Sequence, residues 1–145
     1  MSKLSRTKGG AFERRIAREL REAMPLATVR RSMQAHRAYE PDVVVEGCAP
    51  SIARRLWLEL TDSRAPSPLD KLAQAERDSA HCREWLPVVV WHKTGAKSVQ
   101  VTARLGVLCE VLGGEPTVVG GYLGTPVTVD FYQVLARLRE LGDAT

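Results

Sequence analysis

Side chains able to do acid, base or metal chemistry follow one another along the first half of the chain: Glu13, Asp42, Glu59, then Thr61 and Lys71. The stretch RRLWLELTDSR, residues 54–64, alternates as a β-strand does, with Leu56, Leu58 and Leu60 on one face and Trp57, Glu59 and Thr61 on the other. Asp42 opens EPDVVVEG, a valine run bounded by Pro41 and Gly47 that reads as the preceding strand, and GCAPS is the turn between the two. Such a hairpin sets Asp42 beside Glu59, and a helix packed on the sheet could add Glu13. Crowded carboxylates repel unless a cation sits between them, and a cluster of hard oxygens beside a phosphate path suits Mg²⁺ or Mn²⁺. A metal site is the economical explanation of the three acids together; singly, each is no more than one of many solvated carboxylates.

The elements that must hold these residues follow from pattern and punctuation. GGAFERRIARELREAM places Phe12, Ile16 and Leu20 at helical spacing with Arg14, Arg15, Arg18 and Arg21 in other directions, and Pro25 ends the helix. LATVRRS is a short strand. After the two strands already described, Ser67 as N-cap, Pro68 at the first helical position and Asp70 three residues after the cap start a helix expected to reach about Trp85. LPVVVWHK is an almost continuously apolar strand, and KTGAK turns it into SVQVTARL, another strand. The last third carries glycine-rich turns, two candidate strands and a closing helix capped by Asp130, with Phe131, Val134, Leu135 and Leu138 as its stripe. The expected fold is α/β, a central mixed sheet flanked by helices in a single domain over residues 1–145, with residues 1–10 as a flexible basic arm.

Charge is unevenly placed. The net charge is +4, but residues 1–40 hold ten Lys and Arg against four Glu, and the remainder is slightly acidic. A basic third of this kind suits an anionic polymer, and arginine favours phosphate because its planar fork makes paired bonds to it. The phosphate-binding pool is Arg6, Lys8, Arg14, Arg15, Arg18, Arg30, Arg31 and Arg37. No apolar run is long enough to span a bilayer, and MSKLSRTKGG lacks the apolar core of a signal peptide, so a cytoplasmic location is expected. Cys48, Cys82 and Cys109 are odd in number and widely spaced, which fits reduced and mostly buried thiols rather than a disulfide framework or zinc site. His36, His81 and His92 have no ligand spacing and read as satisfied or solvated, and Trp57 as a core residue.

The order of a basic helix with FERR, a strand opening on PD, a hairpin to LELT, a helix and an apolar strand resembles the PD-(D/E)XK nuclease superfamily, and within it the small Holliday-junction resolvases of the archaeal type and their phage-encoded relatives. The resemblance covers about the first hundred residues. It implies a restriction-endonuclease-like sheet and a metal held by Asp42 and Glu59. It also implies that Glu13 assists from the helix, that the Leu60 backbone carbonyl completes the coordination, and that a homodimer acts on four-way or branched DNA.

Thr61 departs from that pattern, which has a lysine there to orient and deprotonate the attacking water and to offset charge developing on the phosphate. Threonine does neither. Three readings stay open at this point. The role has moved to Lys71, or less directly to Lys93; the position carries an inactivating replacement; or the chain is a DNA-binding or recombination-accessory protein that has lost catalysis. From a different class, the domain binds other proteins and its basic face is incidental.

Overall fold

The computed structural model describes residues 3–32, 39–114 and 122–144, with the backbone alone for residues 3–8. Among these residues the chain forms a six-stranded mixed sheet flanked by five helices. In chain order the elements are α1 (Lys3–Ala23), β1 (Ala27–Arg31), β2 (Val43–Gly47), α2 (Ser51–Arg54), β3 (Leu56–Ser63), α3 (Pro68–Ser79), β4 (Leu86–Lys93), β5 (Gln100–Arg104), α4 (Leu105–Leu112), β6 (Pro126–Asp130) and α5 (Phe131–Asp143). The strands lie in the sheet in the order in which they occur in the sequence. β1, β2 and β3 form an antiparallel meander, α3 crosses over so that β4 runs parallel to β3, and β5 and β6 continue antiparallel.

Alternation along the strands assigns the two faces. Leu56, Leu58 and Leu60 of β3 join Val88 and Val90 of β4 and Val101 of β5 in one buried cluster with Phe12, Ile16 and Leu20 of α1. Leu108 and Val111 of α4 and Phe131, Val134, Leu135 and Leu138 of α5 complete it, so these three helices cover the same face. α3 lies against the opposite face of β3, β4 and β5, with Leu72 and Ala75 buried there. Trp57 on that face is 1% exposed and packs edge-on against Trp85 and His81. The parallel pair is buried on both faces, which is why LPVVV shows an unbroken apolar run instead of alternation.

Several expectations are corrected. The segment taken as a flexible arm is helical from Lys3, continuous with the rest of α1. β2 and β3 are antiparallel neighbours, but the helical turn α2 joins them, and their pairing is confined to Val43 opposite Leu58 plus the Asp42 N–H to Leu58 carbonyl bond at 3.0 Å. α3 ends at Ser79, six residues short of Trp85, because the residues before β4 fold into turns closed by Ala80, Cys82 and Trp85 N–H groups. Ser67 stands at the N-cap with Pro68 behind it but makes no side-chain capping bond. At α5, by contrast, the Asp130 carboxylate accepts from the Tyr132 N–H at 2.8 Å. α4 is not legible from sequence: LGVLCEVL follows a strand without a break and is apolar apart from Glu110, so its period is masked. Of the two strands expected in the last third, β6 is one; residues 115–121 lie outside the described residues. The thiols are not buried: Cys48 and Cys82 are exposed and Cys109 is partly so, all three unpaired.

Candidate active site

Asp42 is fixed by three strands at once. Its N–H donates to the Leu58 carbonyl at 3.0 Å, its carbonyl accepts from the Ser32 N–H at 2.9 Å, and its Oδ2 accepts from the Leu60 N–H at 2.8 Å. The aspartate therefore ties the end of β1 and the start of β2 to the middle of β3. Asp42 stands just before Val43, whose side chain belongs to the α1-face cluster, and Glu59 stands between Leu58 and Leu60, which belong to it too. Both acids thus fall on the register of the other face, the one covered by α3.

Glu59 is 8% exposed. Its carboxyl is pushed up to about 7, chiefly by burial and next by the negative field of Asp42; Lys71 opposes the rise and Asp78 adds to it. The Trp57 indole is near enough to favour the ionised form slightly, yet its buried Nε1 makes no hydrogen bond of good geometry among the described residues. The causes identify the neighbours: one carboxylate from the start of β2, and one ammonium and one carboxylate from α3. Lys71 and Asp78 are seven residues apart, two turns of helix, and so share a side of α3.

This set bears on the metal expected from the sequence. No three His, Cys, Asp or Glu side chains among the described residues are grouped to cage an ion. Asp42 and Glu59 nevertheless fit Mg²⁺ or Mn²⁺, because Mg²⁺ is commonly bound through one or two carboxylates and keeps water or phosphate oxygens as its other ligands. The carbonyl of a strand residue points to the same side as its N–H. Since the Leu60 N–H is directed at Asp42, its carbonyl emerges on the Asp42 edge, available as a third oxygen.

The remaining candidates separate. The Glu13 carboxylate is held on the α1 side, its Oε2 accepting from Arg31 Nε at 3.0 Å and Nη2 at 2.8 Å. Thr61 lies on the Glu59 face, directly across from Trp91 of β4, and has no hydrogen-bond partner through its side chain among the described residues. Arg14 and Arg18 are exposed on α1, while Arg15 approaches Glu19 at 3.7 Å. Arg31 is joined by Arg14 over Gly10: a methyl group there would meet Arg14 Nη1 at 3.3 Å and Arg31 Nη2 at 3.5 Å. Arg30 is bound by Glu40 and Glu46, whose hydrogen bonds hold it above its ordinary pKa. The side chains of Arg6 and Lys8 and the whole of Arg37 and His36 lie outside the described residues.

Two further contacts appear only in the fold. Asp78 acts on Glu59, a relation signalled only by its i, i+7 spacing from Lys71. His92, read as merely satisfied, bridges Asp62 Oδ1 at 3.0 Å and the Ala96 carbonyl at 2.7 Å and stacks on Phe12 with ring centroids 6.1 Å apart.

Comparison with family models, with curated proteins and with solved structures gives no match to this chain. No helix among the described residues is long and apolar enough to cross a membrane.

Proposed function

We propose that this protein is a divalent-metal-dependent DNA endonuclease of the PD-(D/E)XK type, hydrolysing phosphodiesters at four-way or other branched junctions as a cytoplasmic homodimer. The observation that carries the reading is that Asp42, just before β2 and bonded to the Leu60 N–H, and Lys71 of α3 both act electrostatically on the buried Glu59 of β3 from the α3 side of the sheet. The element order helix, antiparallel meander, crossover helix and parallel strand supports it, since the FERR, PD and LELT segments fall within those elements in sequence.

In this reading Asp42, Glu59 and the Leu60 carbonyl hold the ion, which when bound supplies Lewis-acid polarisation of the scissile phosphate. Asp42 is pre-oriented by the Leu60 N–H, so its carboxylate does not have to be ordered on binding. Glu59 retains a proton up to about pH 7 unless a cation offsets Asp42, so ion binding and proton loss at its carboxyl are linked. Lys71 approaches Glu59 from above the sheet and takes the part a lysine at position 61 would have: it orients the attacking water and offsets charge on the phosphate.

Thr61 favours a second reading, a non-catalytic DNA-binding or recombination-accessory protein on the same fold. Nicking of a labelled four-way junction, a duplex and a single strand, run in parallel with Mn²⁺, separates the two. The nuclease reading expects junction cleavage that Asp42→Asn abolishes. Junction binding with no cleavage of any substrate hands the assignment to the second reading.

A further inference from the structure

The phosphate-binding candidates Arg6 to Arg37 lie in the first 40 residues, and several of these are consumed by the chain's own acids: Arg31 by Glu13, Arg30 by Glu40 and Glu46, Arg15 by Glu19. The parallel pairing of β3 and β4 gathers a different set. Ser63 and Lys93 are register partners at the last residues of the two strands, so Arg64 leaves the sheet beside Lys93. The chain then turns through Gly95, whose φ of +89° suits glycine, and reaches Lys97. Arg64, Lys93 and Lys97 are all exposed, and none forms an ion pair among the described residues.

The turns that carry these cations are pinned. The Thr94 N–H donates to the Ser63 carbonyl at 2.9 Å, the Ala96 N–H to the Lys93 carbonyl at 2.9 Å, and the Ala65 N–H to Ser63 Oγ at 3.2 Å. Beneath them His92 spans Asp62 and the Ala96 carbonyl, with both partners of the Asp62–His92 pair about 15% exposed or less. A half-buried Asp–His tie under a surface turn has no role in the chemistry at Glu59, because Asp62 and His92 share the Leu60 and Val90 register on the α1 face. Its physical effect is to hold the Lys93–Lys97 turn in one place.

Position makes this bank useful. The end of β1 and the start of β2 lie toward the same end of the sheet as the ends of β3 and β4: Asp42 stands with Arg31 level with the middle of β3, and Arg64 with Lys93 lies beyond it. From Arg31 to Lys93 is three inter-strand spacings across, about 14 Å, and five residues along the strands, about 17 Å, and nucleic-acid phosphates recur about every 3.4 Å of helix axis along a strand. We propose that Arg64, Lys93 and Lys97 form a second phosphate-binding bank, which with Arg14 on the α1 side leads a DNA backbone across the sheet end past Asp42 and Glu59. This rests on the reading of the chain as a DNA-acting protein, and it adds residues from beyond the basic first 40 to the interface.

The test is the salt dependence of binding to a fluorescent four-way junction and to a matched duplex, measured in EDTA so that no cleavage occurs. Replacing the bank by Arg64→Gln, Lys93→Gln and Lys97→Gln together should lower the slope of log K against log salt by up to about 2.7, at about 0.9 per phosphate contact on duplex DNA. Arg54→Gln, Arg77→Gln and Arg83→Gln together, three exposed cations at the other end of β3 and α3, should leave the slope as it is. His92→Ala, which frees the turn but leaves Arg64, Lys93 and Lys97 in place, should weaken binding by less than the triple change. An unchanged slope in the bank variant overturns the proposal, as does an equal fall in the control variant. A bank variant that keeps its DNA slope but loses binding to vesicles of anionic phospholipid overturns it in favour of a membrane surface. Nicking is scored separately with Mn²⁺: its absence from the native protein removes the nuclease reading while a lowered slope still supports the bank, and nicking with an unchanged slope does the reverse.

Discussion

At the scale of the residue, the informative position is Glu59, because its environment makes ionisation costly. A glutamate raised to about 7 holds a proton in the folded protein that the unfolded chain has already released. The native state therefore binds more protons across that interval, and stability must fall as pH rises from the ordinary glutamate range through about 7. Glu59→Gln removes the ionisation but keeps the size. In metal-free buffer the native urea midpoint should decline between pH 5 and pH 8, the variant's should decline less, and the two should converge in acid; parallel curves would contradict the environment described. Position 61 is the second test at this scale. With Lys71 serving as the cation, Lys71→Ala should lower Mn²⁺-dependent cleavage by roughly 10² to 10⁴, the usual worth of general acid–base assistance. Thr61→Lys should add nothing, since a second ammonium beside the first is repelled. The opposite pattern, a gain from Thr61→Lys and no loss from Lys71→Ala, would mark position 61 as an inactivating replacement.

Among the elements, α3 matters most, because it brings a cation over the carboxylates. Its hold on the sheet comes from Leu72, 1% exposed, and Ala75, fully buried, while Lys71 is only partly buried and adds charge near Glu59 rather than apolar packing. Arg104 adds a two-pronged ion pair to Glu76 and a bond to the Gly124 carbonyl, which fastens the middle of the helix to the end of β5. Leu72→Ala deletes a core side chain and should cost about 2–5 kcal/mol in urea unfolding, whereas Lys71→Ala should stay within about 0.5 kcal/mol. A loss under 1 kcal/mol for Leu72→Ala would mean that α3 is not docked as described. The separation of the two effects is what makes the Lys71 cleavage experiment readable, since its variant keeps the fold.

For the molecule as a whole, the proposed function has charge and metal meet toward the same end of the sheet. A protein that binds Mn²⁺ only when folded gains stability as RT ln(1 + [L]/Kd), about 2.7 kcal/mol at a hundred times Kd. For a chain of this length that corresponds to a rise in Tm of roughly 5–10 °C. The rise should grow from pH 6 to pH 8 as Glu59 gives up its proton, and should vanish in Asp42→Asn; a Tm indifferent to Mn²⁺ at pH 8 in the native protein would remove the ion from this site. The positive field at the surface is likewise a property of the whole. Internal pairing reduces what α1 and β1 contribute, and the strand ends of β3 and β4 supply the unpaired cations.

Local pattern decided much of this in advance. Period-two alternation in LWLELT separates Glu59 from its leucine neighbours whatever the surroundings, and the valine run after Pro41 puts Asp42 at a strand start, so two acids on adjacent strands were legible from residue order alone. The helical stripe and stop at Pro25 gave α1, and Asp130 gave the start of α5, because caps and periodicity act within a few residues. What needed the tertiary structure were relations across the sheet. Glu13 pairs with Arg31 because β1 folds back along α1, and Lys71 meets Glu59 because a crossover helix returns over the strand it left. Arg64 joins Lys93 because two distant strands end in register. Each depends on which elements become neighbours and which faces they turn to one another, and that is fixed by burial of the whole apolar surface rather than by any stretch of sequence.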